Sequence, residues 1–218
     1  MEKNFWLERW ERSEIGFHEG VANAWLQQYW PEMSAPEGAG VFVPLCGKSV
    51  DMQWLRLRHH RVLGVELSRL AVEAFFREQS LAFQHGMHGR FEQFDADGIR
   101  LLCGDFFDLT REDLGGISCV YDRASMVALP PEMRARYAAH LMQILPAGAR
   151  ILLITFDYPQ VQMPGPPFAL GRAEIEHLYG GVADIRMLAD MDVLPQNPRF
   201  ASRGISSLRE RIFILQKK

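Results

Sequence analysis

The stretch Val41–Ser49, VFVPLCGKS, is an apolar run that ends in a turn containing a glycine. A segment with helical spacing follows, and a second apolar run, RVLGVE, ends on Glu66, nineteen residues after Gly47. A strand, a turn, a helix and a second strand that ends in a carboxylate form half of a nucleotide-binding α/β unit. In such a unit the turn lets a ligand approach the backbone, and the carboxylate can accept hydrogen bonds from ribose hydroxyls.

Apolar runs and helical segments alternate through the rest of the chain, which predicts an α/β fold with a mostly parallel sheet. The last two strands are joined by a loop too short for a covered crossover, so one of them should be antiparallel. We expect residues 82–98 to be irregular apart from a hairpin arm at 91–94. The whole chain, 1–218, is predicted to be a single domain, with an N-terminal helical lid at 1–38 and an α/β core at 39–218.

The first 30 residues contain four of the five tryptophans and are predicted to form two helices. Trp6 and Trp10 have i,i+4 spacing, and Val21, Trp25 and Tyr29 repeat that spacing in the second helix. Two interpretations remain open for this segment: a helical flap that packs on the core, or an aromatic lid over a flat ligand. After the first strand, Val50, Trp54 and Leu57 predict the apolar face of the next helix.

Composition narrows the class of protein. Hydrophobic residues make up 48% and charged residues 23% of the chain, as in an ordinary globular protein. The net charge of −3 lacks the basic footprint of a nucleic-acid-binding protein. Three cysteines fall in or beside apolar runs, which predicts buried free thiols in the reducing cytoplasm. No apolar stretch has the roughly 20 residues needed to span a bilayer. We expect a monomer with a small-molecule substrate and neither nucleic acid nor membrane as a partner.

The glycine pattern of the turn limits what can bind there. A phosphate-binding Walker A loop needs a glycine five positions before Gly47, where the chain has Phe42. The G-x-G-x-x-G fingerprint of dinucleotide sites is also missing. Glu66 lies where a carboxylate that binds ribose hydroxyls is expected. The alternative interpretation is that it is a solvated loop glutamate. A ligand with a ribose and no phosphate, such as S-adenosylmethionine, fits these residues best.

Other candidate site residues follow other strands. Asp105 and Phe106 come after the third strand and could meet an adenine edge and face, or could be a helix cap and a core ring. Arg123 ends the fourth strand, where it pairs with an acid such as Asp122 or contacts ligand and substrate. His85 and His88 have the spacing of a metal pair but lack a nearby third ligand, so we expect no metal.

The motifs FWLERW, GFHEG, VPLCGKSVDM, GVELS, YDRAS and PGPPF, in this order, resemble the thiopurine S-methyltransferase family over nearly the whole chain. The resemblance implies a class I S-adenosylmethionine-dependent methyltransferase fold: a Rossmann-like, seven-stranded, mostly parallel sheet whose last strand is antiparallel. It implies methyl transfer to the sulfur of aromatic or heterocyclic thiols such as 6-mercaptopurine. Some microbial members are associated with selenium and tellurium compounds.

By these motifs, the resemblance implies six cofactor contacts: Trp10, Leu45, Glu66, Asp105, Phe106 and Arg123. It implies substrate-side roles for Phe17, Arg123 and Arg199, of which Arg123 is the candidate catalytic residue because it would position the heterocycle or its thiolate. A cationic guanidinium favours the thiolate over the thiol. Two functions of other classes remain as alternatives: a non-catalytic nucleoside-binding module and an NAD-dependent oxidoreductase.

Overall fold

The structure, a computed structural model, describes residues 3–16 and 18–218. The chain divides into two compact units, Met1–Tyr121 and Asp122–Lys218. Among the described residues, no helix combines the length and the apolar character that a membrane span requires. The predicted division into a lid at 1–38 and a core at 39–218 stays a prediction.

The first unit contains a sheet with the strand order β3-β4-β5-β2-β1-β6. Its strands are β1 (Gly40–Val43), β2 (Arg61–Glu66), β3 (Gln84–His88), β4 (Phe91–Ala96), β5 (Ile99–Cys103) and β6 (Ile117–Arg123), whose last two residues belong to the second unit. β5, β2, β1 and β6 are parallel, and in the register Glu66 lies beside Cys103. The carboxyl ends of β1, β2 and β5 therefore lie along one edge of the sheet.

The β3–β4 hairpin corrects the prediction that residues 82–98 are irregular outside 91–94. β3 pairs antiparallel with β4, which pairs antiparallel with β5. The sequence of β3, QHGMH, is almost entirely exposed, so no alternation of apolar and polar residues marks it as a strand. The hairpin adds two strands to the seven that the resemblance implies, giving nine in the described residues.

The helices of the first unit are α1 (Lys3–Glu11), α2 (Ala24–Tyr29), α3 (Asp51–Leu57) and α4 (Arg69–Glu78). Ser68 caps the start of α4, because its Oγ accepts a hydrogen bond from Ala71 N at 3.4 Å. Its buried side chains recur at Ala71, Val72, Phe75 and Phe76, which is the stripe of an amphipathic helix.

The predicted buried faces of α2 and α3 are wrong. In α2 the buried residue is Leu26, while Val21 lies before the helix and is exposed. In α3 the buried residues are Asp51, Met52 and Leu55, whereas Leu57 is 65% exposed. Both helices are shorter than two full turns, so a shift of one residue changes the face that meets the core.

The second unit contains three further strands in the order β7-β9-β8: β7 (Arg150–Asp157), β8 (Ala183–Asp192) and β9 (Arg209–Lys217). β9 is antiparallel to both neighbours, which confirms the prediction for the closing strands. The helices are α5 (Pro131–Ile144), α6 (Arg172–Tyr179) and the short α7 (Pro198–Ala201). Proline suits the first turn of α5, because a first-turn N–H has no partner within the helix.

The three cysteines are free and buried, as predicted. Burial raises the pKa of the Cys46 thiol well above its ordinary value and raises that of Cys103 to about 11. The thiolate is the reactive form of cysteine, so both groups are chemically quiet at neutral pH.

Among the described residues, Arg134 of α5 is the largest fully buried side chain. Its Nη1 donates to both carboxylate oxygens of Glu174 at 2.8 Å, and its Nε donates to the carbonyls of Met126 and Leu129 at 3.3 and 3.0 Å. One guanidinium thus holds α6 and the turn before α5 at the same time. A buried arginine needs such partners, because an unpaired buried charge is costly.

We expect Arg134→Ala to lower the free energy of unfolding by about 3–5 kcal/mol, because it leaves the Glu174 carboxylate and two carbonyls without their donor. The measurement is urea denaturation followed by circular dichroism. Arg172→Ala is the matched control, since Arg172 is an exposed α6 residue that pairs with Glu176. Equal losses in the two variants would contradict this account.

Candidate cofactor and active site

The turn after β1 has an unusual backbone. Leu45 has a φ of +45°, in the left-handed region that non-glycine residues rarely adopt, and Gly47 has a φ of +52°. Cys46 N donates to Val65 O at 2.9 Å, so the turn is tied to the end of β2. A left-handed non-glycine residue costs of order 1–3 kcal/mol and is found most often at functional sites. The predicted cofactor residue Leu45 is therefore held in a strained conformation by its surroundings.

Glu66 lies at the carboxyl end of β2 and is 6% exposed. Its Oε2 accepts a hydrogen bond from Gly47 N at 2.9 Å, and its Oε1 accepts one from Ser68 N at 2.8 Å. Burial raises the pKa of this carboxyl, and hydrogen bonds from the amides of Ser68, Gly47 and Leu67 partly offset that rise. Glu66 thus joins the turn after β1 to the turn after β2.

A carboxylate has about four lone-pair sites, so the three amides of Ser68, Gly47 and Leu67 leave a site for a ligand donor. The structural role of Glu66 and the predicted ribose contact are therefore compatible.

Trp10 of α1 packs on the glycine of the turn. Its Cζ2 lies 3.1 Å from the position that a Cβ on Gly47 would occupy, and the side chain is 9% exposed. Any larger residue at 47 would press on the indole as well as strain the backbone. The first helix thus reaches the turn after β1 through Trp10, for which the family resemblance implies a cofactor contact.

Asp105 follows β5 on the same edge of the sheet. Its Oδ1 accepts a hydrogen bond from Phe107 N at 2.9 Å, and its Oδ2 forms an ion pair with Lys3 Nζ at 2.6 Å. Phe106 is buried and stacks on Phe42, with a ring-centroid distance of 6.4 Å. The local geometry matches the alternative of a capping aspartate beside a core phenylalanine. The cofactor contacts of Asp105 and Phe106 stay predictions.

These residues suit a nucleoside. The edge offers a buried carboxylate for a ribose diol and an indole packed on the turn, and the turn has glycine only at position 47. A pyrophosphate would need several backbone amides free to cradle it, but Gly47 N already donates to Glu66. These residues therefore fit an S-adenosyl ligand better than a dinucleotide.

The second unit contains the other described candidates. Arg123 ends β6, is half-buried and precedes Ala124, which has a φ of +62°. The Asp122 carboxylate accepts hydrogen bonds from Tyr137 Oη at 2.7 Å and from Met126 N at 3.3 Å. Arg199 lies in α7, where its guanidinium carbon is 5.2 Å from the centre of the Phe200 ring. Phe17, the remaining predicted substrate residue, lies outside the described residues.

The histidine pair expected not to bind metal makes other contacts. His85 Nε2 lies 3.1 Å from a carboxylate oxygen of Glu92, and His88 Nε2 lies 2.7 Å from Asp113. Over residues 3–16 and 18–218, no group of three or more histidine, cysteine or acidic side chains could hold a metal ion.

A family model described as thiopurine S-methyltransferase matches residues 1–218. The chain belongs to this family. A thiopurine S-methyltransferase of Nitrosospira multiformis is 59% identical, covering 100% of this chain and 99% of the relative. One of Pseudomonas fluorescens is 51% identical, covering 98% of each. The chain is therefore a methyltransferase with S-adenosylmethionine as its cofactor, and membership of this family implies a small-molecule substrate.

Solved structures agree on the fold. An S-adenosylmethionine-dependent methyltransferase from Anabaena variabilis superposes with a TM-score of 0.69 at 14% identity, covering 99% of this chain and 95% of that one. A Burkholderia thailandensis N1-methyltransferase, solved with S-adenosylhomocysteine, gives a TM-score of 0.62 at 13% identity and covers 99% and 87% of the two chains. The predicted class I, Rossmann-like α/β fold is confirmed.

The sequence did not indicate several polar partners around this methyltransferase site. Lys3 pairs with Asp105, and Asp51 accepts hydrogen bonds from Asn23 N and Tyr121 Oη. Asp51 is only 2% exposed, and no local sequence pattern predicts such deep burial of a carboxylate.

We expect Glu66→Gln to weaken S-adenosylhomocysteine binding at least about tenfold and to lower the free energy of unfolding by about 1–3 kcal/mol. The glutamine amide is a donor, so it can accept from only one of the two backbone N–H groups. Calorimetric titration and thermal unfolding measure the two effects. Glu73→Gln is the control, because Glu73 is on the exposed side of α4 and pairs with Arg69. Unchanged affinity in Glu66→Gln would contradict the assignment.

Asp122 predicts a pH dependence of stability. Burial raises the pKa of this carboxyl from 3.8 to about 6, against hydrogen bonds that lower it. Between these two pKa values, the folded state therefore holds a proton on Asp122 that the unfolded chain has lost. The stability that this proton contributes is fully present below pH 3.8 and is lost as the pH rises through about 6. Asp122→Asn should gain up to about 3 kcal/mol over the wild type between pH 4 and pH 7.

Urea denaturation at each pH measures this gain, with Asp184→Asn as the exposed control in the same unit. Parallel curves for the wild type and Asp122→Asn would show that the Asp122 pKa is not raised.

Proposed function

We propose that this methyltransferase transfers the methyl group to the sulfur of aromatic and heterocyclic thiols such as 6-mercaptopurine. The support for this acceptor class is the name thiopurine S-methyltransferase, which the relatives carry at 47–59% identity over nearly the whole chain. Selenium and tellurium compounds are the second class of acceptor, since they share the polarisable nucleophile of a thiolate. We propose that the protein is cytoplasmic and monomeric; the three buried free cysteines support the former.

The cofactor part of the proposal rests on the Glu66 carboxylate, which joins the turns after β1 and β2 and keeps a lone pair for a ribose hydroxyl. We assign five residues of the first unit to the cofactor: Trp10, Leu45, Glu66, Asp105 and Phe106. From the family resemblance we also assign Arg123 to the cofactor and the acceptor, and Phe17 and Arg199 to the acceptor. S-adenosylmethionine supplies an electrophilic methyl group on a sulfonium when bound.

The chain's own contribution is positioning. Holding a nucleophile in line can supply roughly 7–11 kcal/mol of the barrier. A guanidinium stays charged at neutral pH, so Arg123 favours the thiolate over the thiol and orients a heterocyclic nitrogen through its planar fork. No dedicated general base is needed for an acidic thiol. An aromatic ring at position 17 would cover one face of a flat acceptor.

The PGPPF segment, residues 164–168, is well suited to cover another face because the structure holds it rigidly. Tyr158 Oη donates to Pro167 O at 2.6 Å, Phe168 N donates to Val127 O at 2.7 Å, and Ala169 N donates to Gln160 Oε1 at 2.8 Å. Hydrogen bonds at Pro167, Phe168 and the next residue, Ala169, thus fix the end of a segment whose prolines already restrict the backbone. A segment that is already rigid loses little conformational entropy when a flat ligand packs against it.

We expect Arg123→Ala to lower kcat/KM for 6-mercaptopurine by roughly ten- to a hundredfold, the loss of one charge-assisted hydrogen bond. Arg123→Lys should recover part of this, since it keeps the charge but not the fork. The assay follows labelled methyl transfer over a panel of 6-mercaptopurine, aromatic thiols, selenite and tellurite. Full efficiency in Arg123→Ala would remove the proposed role. If the wild type methylates no sulfur, selenium or tellurium acceptor, the acceptor class is wrong.

Membership of the family argues against both alternatives from other classes, and the same preparations test them. A nucleoside-binding module would bind S-adenosylmethionine without turnover, which titration beside the activity assay would show. An NAD-dependent oxidoreductase would bind NADH, and the missing G-x-G-x-x-G pattern already speaks against it.

A further inference from the structure

Lys48 is a charged residue of the turn after β1 that the proposed mechanism leaves without a role. It directly follows Gly47, and its Nζ donates to Glu78 Oε1 at 2.7 Å. The Lys48 side chain is only 12% exposed, whereas that of Glu78 is 38% exposed. A lysine is rarely buried so deeply unless its ammonium has a partner. The structure therefore covers the aliphatic stem of Lys48 and brings its charge to the Glu78 carboxylate.

The position of Glu78 explains why a cation is needed there. Glu78 is the last residue of α4, where the unpaired carbonyls give the helix end a partial negative charge. An acidic side chain at this end is unfavourable by itself, and a cation is favourable. The Lys48 ammonium offsets both the carboxylate and the helix end. In this respect the pair differs from the exposed pair of Arg69 and Glu73 on the same helix.

The turn after β1 is held by both ends of α4. At the start of the helix, Glu66 accepts hydrogen bonds from Gly47 N and from the N-cap residue, Ser68. At the other end, Glu78 accepts from Lys48. The ten residues of α4 separate these two attachments by about 15 Å along the helix. Because consecutive residues of the turn are bound at opposite ends of one helix, the turn cannot shift along α4 without losing a contact.

We propose that Lys48 is a positioning residue for S-adenosylmethionine, because its ion pair with Glu78 keeps the turn after β1 in the conformation that binds the cofactor. The inference rests on the proposed function, since it takes Glu66 as the ribose contact. Leu45 in this turn has a φ of +45°, and a strained residue persists only where its surroundings fix it. When fewer molecules hold the binding conformation, the apparent affinity for the ligand falls by the same factor.

The test measures the affinity of the full-length protein for S-adenosylhomocysteine by calorimetric titration. Lys48→Met keeps an unbranched apolar side chain and removes the ammonium. We expect the affinity to fall about three- to tenfold, between the loss of an exposed ion pair and that of a buried hydrogen bond to a charged group. Lys48→Arg keeps the charge and should stay within about twofold of the wild type. A loss in Lys48→Arg as large as that in Lys48→Met would overturn the role of the charge.

A double-mutant cycle tests whether Lys48 acts through Glu78. Glu78→Gln should weaken binding as much as Lys48→Met does, and the double variant should lose little more than either single variant. Losses that add would overturn the proposal. Glu73→Gln is the matched control, because the same substitution in the same helix breaks a pair that does not involve the turn. If Glu73→Gln weakens binding equally, the general charge of α4 sets the affinity and the proposal is wrong.

Hydrogen exchange separates positioning from stability and needs no ligand. The amides of Cys46 and Gly47 are hydrogen-bonded in the wild type and should exchange faster in Lys48→Met. The amide of Val62, near the start of β2, is hydrogen-bonded as well and should keep its protection. Equal loss of protection at all three amides would show that Lys48 serves stability alone, against the proposal.

The outcome for Glu66→Gln distinguishes a failure of this inference from a failure of the proposed function. If the wild type does not bind S-adenosylhomocysteine, or if Glu66→Gln binds it unchanged, the proposed cofactor site is wrong and the role of Lys48 falls with it. If Glu66→Gln is weakened while Lys48→Met binds like the wild type, the site stands and only the role of Lys48 is overturned.

Discussion

The hydrogen bonds of Glu66 to Gly47 N and Ser68 N are the interaction on which the cofactor edge depends. A buried carboxylate is unfavourable unless its lone pairs are used, and here two backbone amides use them. The same contacts fix the turns after β1 and β2 against each other. They also keep Leu45 in its left-handed conformation next to the glycine that supports Trp10. The hydrogen bonds of Cys46 N and Gly47 N, one and two residues after Leu45, thus maintain its strained conformation.

Each unit also contains a buried charged side chain that connects several of its elements. In the first, Asp51 connects α3, β6 and the start of α2. In the second, Arg134 connects α5, α6 and the turn at Met126–Ala128. Each group has several hydrogen-bond partners at once, and such partners are what makes a buried charge tolerable. A site that works by positioning needs such supports more than it needs reactive side chains.

The secondary structure was largely predictable because its signals are local. Ser68 as a cap, the proline start of α5 and the apolar run of β7 each depend on a few neighbouring residues. The faces of α2 and α3 were not predictable, since helices shorter than two turns hold too few apolar positions to define a stripe. β3 was missed because its side chains are exposed and backbone pairing with β4 forms it.

The sequence by itself determined the fold class, the family and the position of Glu66 at the end of a strand, because spacing and motif strings are properties of the chain. Only the tertiary structure decided what the carboxylates do. It brings Gly47 N and Asn23 N into hydrogen bonds with the carboxylates of Glu66 and Asp51, and Lys3 into an ion pair with Asp105. It also placed the Phe106 ring against Phe42, in the core of the first unit. These partners are 19 to 102 residues apart, and such contacts depend on the sheet register and helix packing, which no local pattern encodes.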